Sequence, residues 1–197
     1  LASISFFGRI LGRVFKYSLA VIIARGFGDK ALGTFILGLV LIQIGGTIAN
    51  LGLETTMRKY IPVYRSQGDL GLVTGLVLSG ILTALFGGIL LTGVFYVVVE
   101  TYNPFFGPSS ESQIKILLIG IPLLSMIKVL NASALGYDET KFSVYIQDIG
   151  REGLALSSAF VAAIVFNTDE ALAAGYVISL AGTTVVAISL NYALGAF

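Results

Sequence analysis

The 197-residue sequence contains no cysteine, no histidine and no tryptophan. Without cysteine the chain has no disulfide, thiolate metal ligand or thiol nucleophile, and without histidine it has no imidazole for acid–base catalysis or metal binding. We therefore expect no catalytic site, no metal and no cofactor. The sequence predicts a protein that is not an enzyme.

Charged residues are also scarce, at 12% of the chain against about 25% in a typical soluble domain. Hydrophobic residues make up 56%, and the mean hydropathy is +0.92. This leaves too little charge to cover a water-facing surface. The net charge of +1 argues against a nucleic-acid partner, because nucleic-acid binders carry a concentrated basic surface. The composition predicts an integral membrane protein.

Long apolar runs follow one another along the whole chain. A hydrocarbon core of about 30 Å is crossed by roughly 20 apolar residues in a helix. The runs are continuous, whereas a β-barrel shows alternation with a period of two. We expect an all-α fold and a single transmembrane domain over residues 1–197, with six helices at about residues 4–24, 32–53, 70–99, 114–135, 142–166 and 171–194.

The connections between the predicted helices are short. Residues 55–69 are basic and aromatic, and Tyr60 and Tyr64 suit a segment at the level of the lipid headgroups. Lys and Arg are slightly more frequent on the N-terminal side, with Arg58, Lys59, Arg65 and Lys141 against Arg25, Lys30 and Lys115. This bias favours a cytoplasmic N-terminus.

Three basic residues interrupt the first predicted helix. Arg9, Arg13 and Lys16 fall within an arc of about 60°. A charge at the centre of a membrane helix costs roughly 2.5–3.5 kcal/mol on insertion scales, so such residues usually face a cavity or a partner. Two other interpretations stay open: Arg9 and Arg13 extend to the headgroups, or residues 4–16 lie along the membrane surface without crossing it.

The second predicted helix carries a polar stripe. Gln43, Thr47, Asn50 and Glu54 also lie within about 60° of one another. The stripe indicates either the lining of a water-filled cavity or hydrogen bonds between helices, which contribute about 0.6 kcal/mol each in membranes. The pattern does not distinguish the two.

The fourth and fifth predicted helices add further charges. Lys128 follows Pro122, where the helix has a reason to kink. Asp148, Arg151 and Glu152 are neighbours within one helical turn, and Asp148 and Arg151 have the spacing of a self-neutralising pair. The first, fourth and fifth helices together carry more cations than acids. This predicts a cationic cavity suited to a large polar anion, for which a diphosphate-linked glycan is one candidate.

Two blocks of sequence resemble a known family. Residues 23–33, IARGFGDKALG, resemble a signature of the polysaccharide-biosynthesis (O-antigen) flippases, and residues 50–54, NLGLE, with 58–62, RKYIP, resemble the stretch that follows it. Residues 134–136, ALG, precede the short loop after the fourth helix in the same layout. The resemblance covers essentially the whole chain, which is similar to the N-terminal lobe of a member of the multidrug/oligosaccharidyl-lipid/polysaccharide exporter superfamily.

This resemblance implies one lobe of a MATE-like transporter of the plasma membrane, with the cavity between two lobes. The implied activity is outward translocation of a lipid-diphosphate-linked oligosaccharide for glycan biosynthesis by alternating access. Implied partners are membrane lipid, the lipid-linked oligosaccharide, a second transmembrane lobe, and a glycan polymerase or glycosyltransferases. Arg9, Arg13 and Lys16 match the cationic lumen of the family. The coupling ion, proton or sodium, is left open.

Other functions fit parts of the sequence. In a cation-coupled multidrug exporter of the same superfamily, Glu54, Asp148 or Glu152 would bind the coupling ion, but basic residues exceed acids inside the predicted helices. A membrane-embedded glycosyltransferase usually needs acidic or histidine residues in large outward loops, and the loops here are short. A noncatalytic scaffold leaves the charges inside the membrane without an explanation.

Overall fold

The structure is a computed structural model, and it describes residues 2–101, 108–138, 140–144, 146, 150–166 and 168–196. All regular secondary structure in these ranges is helical, which confirms the predicted all-α class for them. The helices are α1 Ala2–Asn50, α2 Leu53–Ser66, α3 Leu70–Thr101, α4 Pro108–Leu118, α5 Gly120–Gly136, α6 Thr140–Val144, α7 Glu152–Val161 and α8 Asp169–Ala193. A π-helical turn at Ala162–Phe166 follows α7.

Four helical stretches are long and apolar enough to cross a membrane: Ile10–Asn50, Leu70–Thr101, Ser110–Gly136 and Asp169–Ala193. Many of their large apolar side chains are exposed, and on α3 Phe86 is 71% exposed. Apolar surface of this extent is unusual on a protein surrounded by water. The chain therefore has the character of a membrane-embedded protein. The last three stretches agree with the third, fourth and sixth predicted segments.

The structure describes only part of the fifth predicted segment, at residues 142–166, and the described residues of this segment are helical. Its described part contains α6, α7 and the π-helical turn, while residues 145 and 147–149 lie outside the described ranges. Glu152–Phe166 is an apolar helix of shorter length than the four long stretches.

α1 is broken at Gly28. This residue has φ 87° and ψ 171°, a backbone conformation that is essentially restricted to glycine. We call residues 2–27 the first arm of α1 and residues 29–50 its second arm. The break falls between the first and second predicted segments, where the sequence predicts a loop.

The first arm of α1 lies beside the segment that contains α6 and α7. The two run in the same direction, because residue numbers increase together along the contacting pairs Gly8–Val144, Gly153–Phe15 and Gly26–Ala163. α8 runs in the opposite direction to this segment, as shown by the pairs Gly175–Ser158 and Gly182–Leu154. The first arm and α8 are therefore antiparallel.

The second arm of α1 has the opposite direction to the first. It runs parallel to α4 and α5, along the contacting pairs Gly38–Leu117, Gly45–Ile121 and Gly46–Leu124. α5 is in turn parallel to α8, with Gly120 against Leu180 and the Asn191 side chain against Leu130. The chain consequently reverses its direction at Gly28, and the two arms form a helical hairpin.

α5 lies at the centre of the molecule. Of the 18 most apolar consecutive residues in the Ser110–Gly136 stretch, 72% are buried, whereas in α3 the corresponding share is 11%. α5 contacts both the second arm of α1 and α8, and its fully buried Ile121, Ile127 and Leu130 belong to the main apolar cluster. A polar side chain on α5 therefore either bonds to a neighbouring helix or faces a gap between helices.

A break separates α4 from α5 immediately before Pro122. Proline has no backbone N–H, so the carbonyl of Leu118 lacks its usual helical donor. The hydroxyl of Thr92 on α3 lies 3.1 Å from this carbonyl and 2.9 Å from the Gly88 carbonyl of its own helix, so its one proton is shared between the two acceptors. Gly88 lies directly against Pro122, where a Cβ would approach the Pro122 Cβ to 2.8 Å. The irregularity expected at Pro122 is present, and α3 compensates for it.

α2 packs across one end of the long helices. Its Met57 and Ile61 are fully buried. Met57 contacts Gly80 of α3, and Ile61 contacts Gly136 at the end of α5. The basic and aromatic segment predicted at residues 55–69 is thus largely a helix, anchored to the long helices by one apolar face.

Candidate functional site

The polar stripe of the second arm of α1 meets Lys128 of α5. The Lys128 ammonium donates a hydrogen bond to Thr47 Oγ1 at 2.7 Å, and the Thr47 hydroxyl donates to the Gln43 carbonyl at 2.8 Å. Lys128 is half-buried, and Gln43 and Thr47 are exposed. Two predicted groups from different helices are therefore brought together on one accessible face.

Asn50 and Glu54 form a second contact, one turn further along the same stripe. Asn50 is 1% exposed, and its Nδ2 donates to Glu54 Oε1 at 3.3 Å. Glu54 lies in the first turn of α2, where a negative charge interacts favourably with the helix dipole. The left-handed backbone at Leu51 and Gly52 makes the turn that brings the two side chains together.

Arg151 and Glu152 form an ion pair beside the start of α7. The Arg151 Nε donates to Glu152 Oε1 at 3.2 Å, and an Arg151 terminal nitrogen also bonds to this oxygen. The two side chains are 25% and 14% exposed. Arg151 also interacts with a group beyond this pair. Asp148, predicted as an alternative partner of Arg151, lies outside the described residues.

These three contacts share one electrostatic environment. Lys128 is close enough to Glu54 and to Arg151 for their charges to act on its ammonium. Lys128 and Arg151 are cations and Glu54 and Glu152 are acids, so this group is balanced in formal charge. We call Gln43, Thr47, Asn50, Glu54, Lys128, Arg151 and Glu152 the polar cluster. An excess of positive charge around it would have to come from the first arm of α1.

Arg13 and Lys16 are exposed on the first arm of α1. Neither makes a hydrogen bond or an ion pair within the described residues. Their neighbour Phe15 packs on Gly153, so this arm lies beside the helix that carries Glu152. Neither Arg13 nor Lys16 forms a hydrogen bond or an ion pair with the polar cluster within the described part of the chain. The side chain of Arg9, the third predicted basic residue, lies outside the described part.

Several buried polar groups had no counterpart in the sequence-based site. Gln113 is fully buried, and neither of its amide atoms has a hydrogen-bond partner within the described part of the chain. Asn191 donates to the Leu130 carbonyl at 3.1 Å and to the Ala187 carbonyl at 2.9 Å. Gln113 lies between the third and fourth predicted helices and Asn191 lies in the sixth, and neither position by itself predicts a buried polar group, so only the fold reveals their burial.

The chain matches no protein-family model, no curated protein and no solved structure. Its function must therefore be argued from the polar cluster and from the helices that hold it.

Proposed function

We propose that this chain is one lobe of a membrane transporter that translocates a lipid-diphosphate-linked oligosaccharide. The observation that carries the proposal is the hydrogen bond between Lys128 and Thr47. It places an ammonium group, on a helix of membrane-spanning length, on the same accessible face as the polar stripe of the second arm of α1. A cation in that position is expensive unless it faces a cavity or an anionic partner.

The partners of Lys128 support a role in binding an anion. Its hydrogen bond is to a neutral hydroxyl, and it forms no ion pair with an acid among the described residues. Glu54 and Glu152, the nearby acids, are bonded to Asn50 and Arg151. A diphosphate would supply the negative charge that Lys128 lacks, with Arg13 and Lys16 contributing further positive charge.

The proposal includes six membrane crossings, in the arrangement of a MATE-like lobe. The hairpin at Gly28 divides the long Ile10–Asn50 stretch into two arms, and the segment from α6 to the π-helical turn supplies a further crossing. The remaining three crossings are α3, the α4–α5 stretch and α8. In such a lobe the polar cluster faces a second lobe across a central cavity, and substrate passes between them.

The alternative, a cation-coupled multidrug exporter, has less support. Its coupling ion requires an acid that is available to bind and release a cation. Glu152 is paired with Arg151, and Glu54 accepts a hydrogen bond from the Asn50 amide. Both acids therefore already have partners within the described part of the chain, and Asp148 lies outside it.

Translocation in proteoliposomes tests the proposed function. The probe is an undecaprenyl-diphosphate glycan tagged with a dithionite-sensitive fluorophore, and the measured quantity is the fraction bleached from outside over time. We expect Lys128→Gln to slow translocation at least about tenfold, because one charge contact to phosphate contributes about 1.5–3 kcal/mol. Lys30→Gln is the matched control, since Lys30 is an exposed lysine at the Gly28 turn.

Ethidium efflux from the same proteoliposomes tests the alternative. Efflux of ethidium without movement of the glycan would contradict the flippase proposal and support the drug exporter. Measurable glycan translocation by the parent chain that Lys128→Gln leaves unchanged would show that the polar cluster does not bind the substrate.

A further inference from the structure

α2 has a basic face that is exposed, next to the apolar face that anchors it. Met57 and Ile61 are fully buried, whereas Arg58 and Lys59 are exposed. Glu54 is the only acid in this helix, and it bonds to Asn50 of α1. The exposed surface of α2 therefore carries positive charge without acidic residues of its own helix to balance it.

The three cations of α2 have different surroundings. Arg65 donates to the Tyr137 carbonyl at 3.4 Å and its guanidinium lies over the Tyr137 ring at 4.5 Å. Arg65 therefore fixes α2 to the end of α5. Arg58 and Lys59 form no ion pair within the described part of the chain, and Lys59 lies over the Tyr60 ring at 5.2 Å. These two cations remain accessible to a partner outside the chain.

Aromatic side chains accompany the two cations. The rings of Tyr60 and Tyr64 stack at 5.9 Å between centroids, and Tyr60 is 38% exposed. Tyrosine has an apolar ring and a polar hydroxyl, so it suits the boundary between hydrocarbon and headgroups. Pro62, which is also exposed, has no N–H for the Arg58 carbonyl. The exposed side of α2 thus offers polar backbone as well as positive charge.

We propose that the exposed face of α2 binds the headgroups of anionic phospholipids through Arg58 and Lys59. α2 crosses the ends of helices whose outer surfaces are apolar and of membrane-spanning length, so lipid headgroups are its immediate neighbours. A basic residue near an anionic membrane surface strengthens binding about fivefold. Anionic phospholipid therefore fits this surface in both location and charge. The proposal is independent of the transport function.

A single introduced tryptophan can report on this surface, because the chain has none. Val63→Trp places the reporter on the exposed side of α2, where Val63 is 42% exposed. The chain is reconstituted in vesicles of phosphatidylglycerol and phosphatidylcholine, with bromine on one lipid or the other. We expect brominated phosphatidylglycerol to quench the tryptophan more strongly than brominated phosphatidylcholine at equal mole fraction.

In the same reporter background, Arg58→Gln with Lys59→Gln should reduce the preference for phosphatidylglycerol at least about fivefold. The matched control is Arg25→Gln with Lys30→Gln, which removes the same charge at the Gly28 turn, the end of the second arm of α1 away from α2, and should leave the preference unchanged. Unchanged preference in the α2 variant, an equal loss in the control, or no quenching by either lipid would each overturn the proposal. Circular dichroism establishes that both variants keep their helix content.

Discussion

The hydroxyl of Thr92 shares its proton between the carbonyl of Leu118, at 3.1 Å, and the carbonyl of Gly88 in its own helix, at 2.9 Å. Pro122 leaves the Leu118 carbonyl without a helical donor. A side chain of α3 therefore supplies a hydrogen-bond donor at the break between α4 and α5. In a membrane the carbonyl has no water to bond to, and a partner from another helix is the remaining option. The pair connects two helices that are separated by a short stretch of sequence.

Removal of the Thr92 hydroxyl should weaken the contact between α3 and the α4–α5 stretch. We expect Thr92→Val to lower the free energy of unfolding in detergent micelles by about 0.6–1.7 kcal/mol, the range measured for hydrogen bonds between membrane helices. Thr83→Val on the same helix is the control, because the Thr83 hydroxyl bonds only within α3, to the Ser79 carbonyl. Equal effects of the two substitutions would show that the contact to Leu118 does not stabilise the fold.

The hairpin at Gly28 predicts the sidedness of its turn. The chain lacks cysteine, so single-cysteine variants can be labelled with a membrane-impermeant maleimide in sealed, oriented vesicles. Lys30→Cys and Glu170→Cys should react from one side, since the contact between Gly26 and Ala163 brings the two turns to the same end. Gln67→Cys, after α2, should react from the other side. Labelling of positions 30 and 67 from one side would contradict separate crossings by the two arms.

Tyr137 should make stability depend on pH in the alkaline range. Burial raises the pKa of the Tyr137 hydroxyl above its ordinary value, and the charge of Arg65 partly offsets this. Because the pKa is higher in the folded chain, the hydroxyl contributes fully to stability below the ordinary pKa of about 10. This contribution is lost as the pH rises through the folded-state pKa. The ionised form also cannot donate its hydrogen bond to the Gly195 carbonyl at 3.3 Å.

Unfolding measured between neutral and alkaline pH tests this dependence. Tyr137→Phe should lower the free energy of unfolding near neutral pH by about 0.5–1.5 kcal/mol and should reduce the further loss at alkaline pH. Tyr192→Phe is the control, because Tyr192 is 72% exposed. If Tyr137→Phe loses as much unfolding free energy at alkaline pH as the parent chain does, the pH dependence comes from other groups.

The sequence predicted the long helices well where the apolar run itself sets their length. Residues 70–99 and 171–194 became Leu70–Thr101 and Asp169–Ala193, because hydrocarbon thickness and helical rise determine how many apolar residues a crossing needs. The fifth segment, residues 142–166, is described only in part, and its described residues are helical.

Periodicity predicted which residues of a helix share a face, but not what that face contacts. The stripe of Gln43 and Thr47 was recognisable, whereas its contact with Lys128 joins residues 81 positions apart. The basic arc of Arg13 and Lys16 was equally regular, yet these side chains are exposed and form no hydrogen bond or ion pair with the polar cluster within the described residues. A repeat along one helix contains no information on how neighbouring helices are arranged.

The sequence by itself determined that this chain is helical and apolar, because composition and run length are local properties that a bilayer selects directly. Only the tertiary structure decided that the chain reverses at Gly28, that Thr92 bonds to the carbonyl exposed by Pro122, and that Lys128 meets Thr47. These relationships depend on the relative direction and packing of distant helices. That arrangement arises because buried side chains of one helix pack against glycines of another. A single stretch of sequence does not specify which helices pack together.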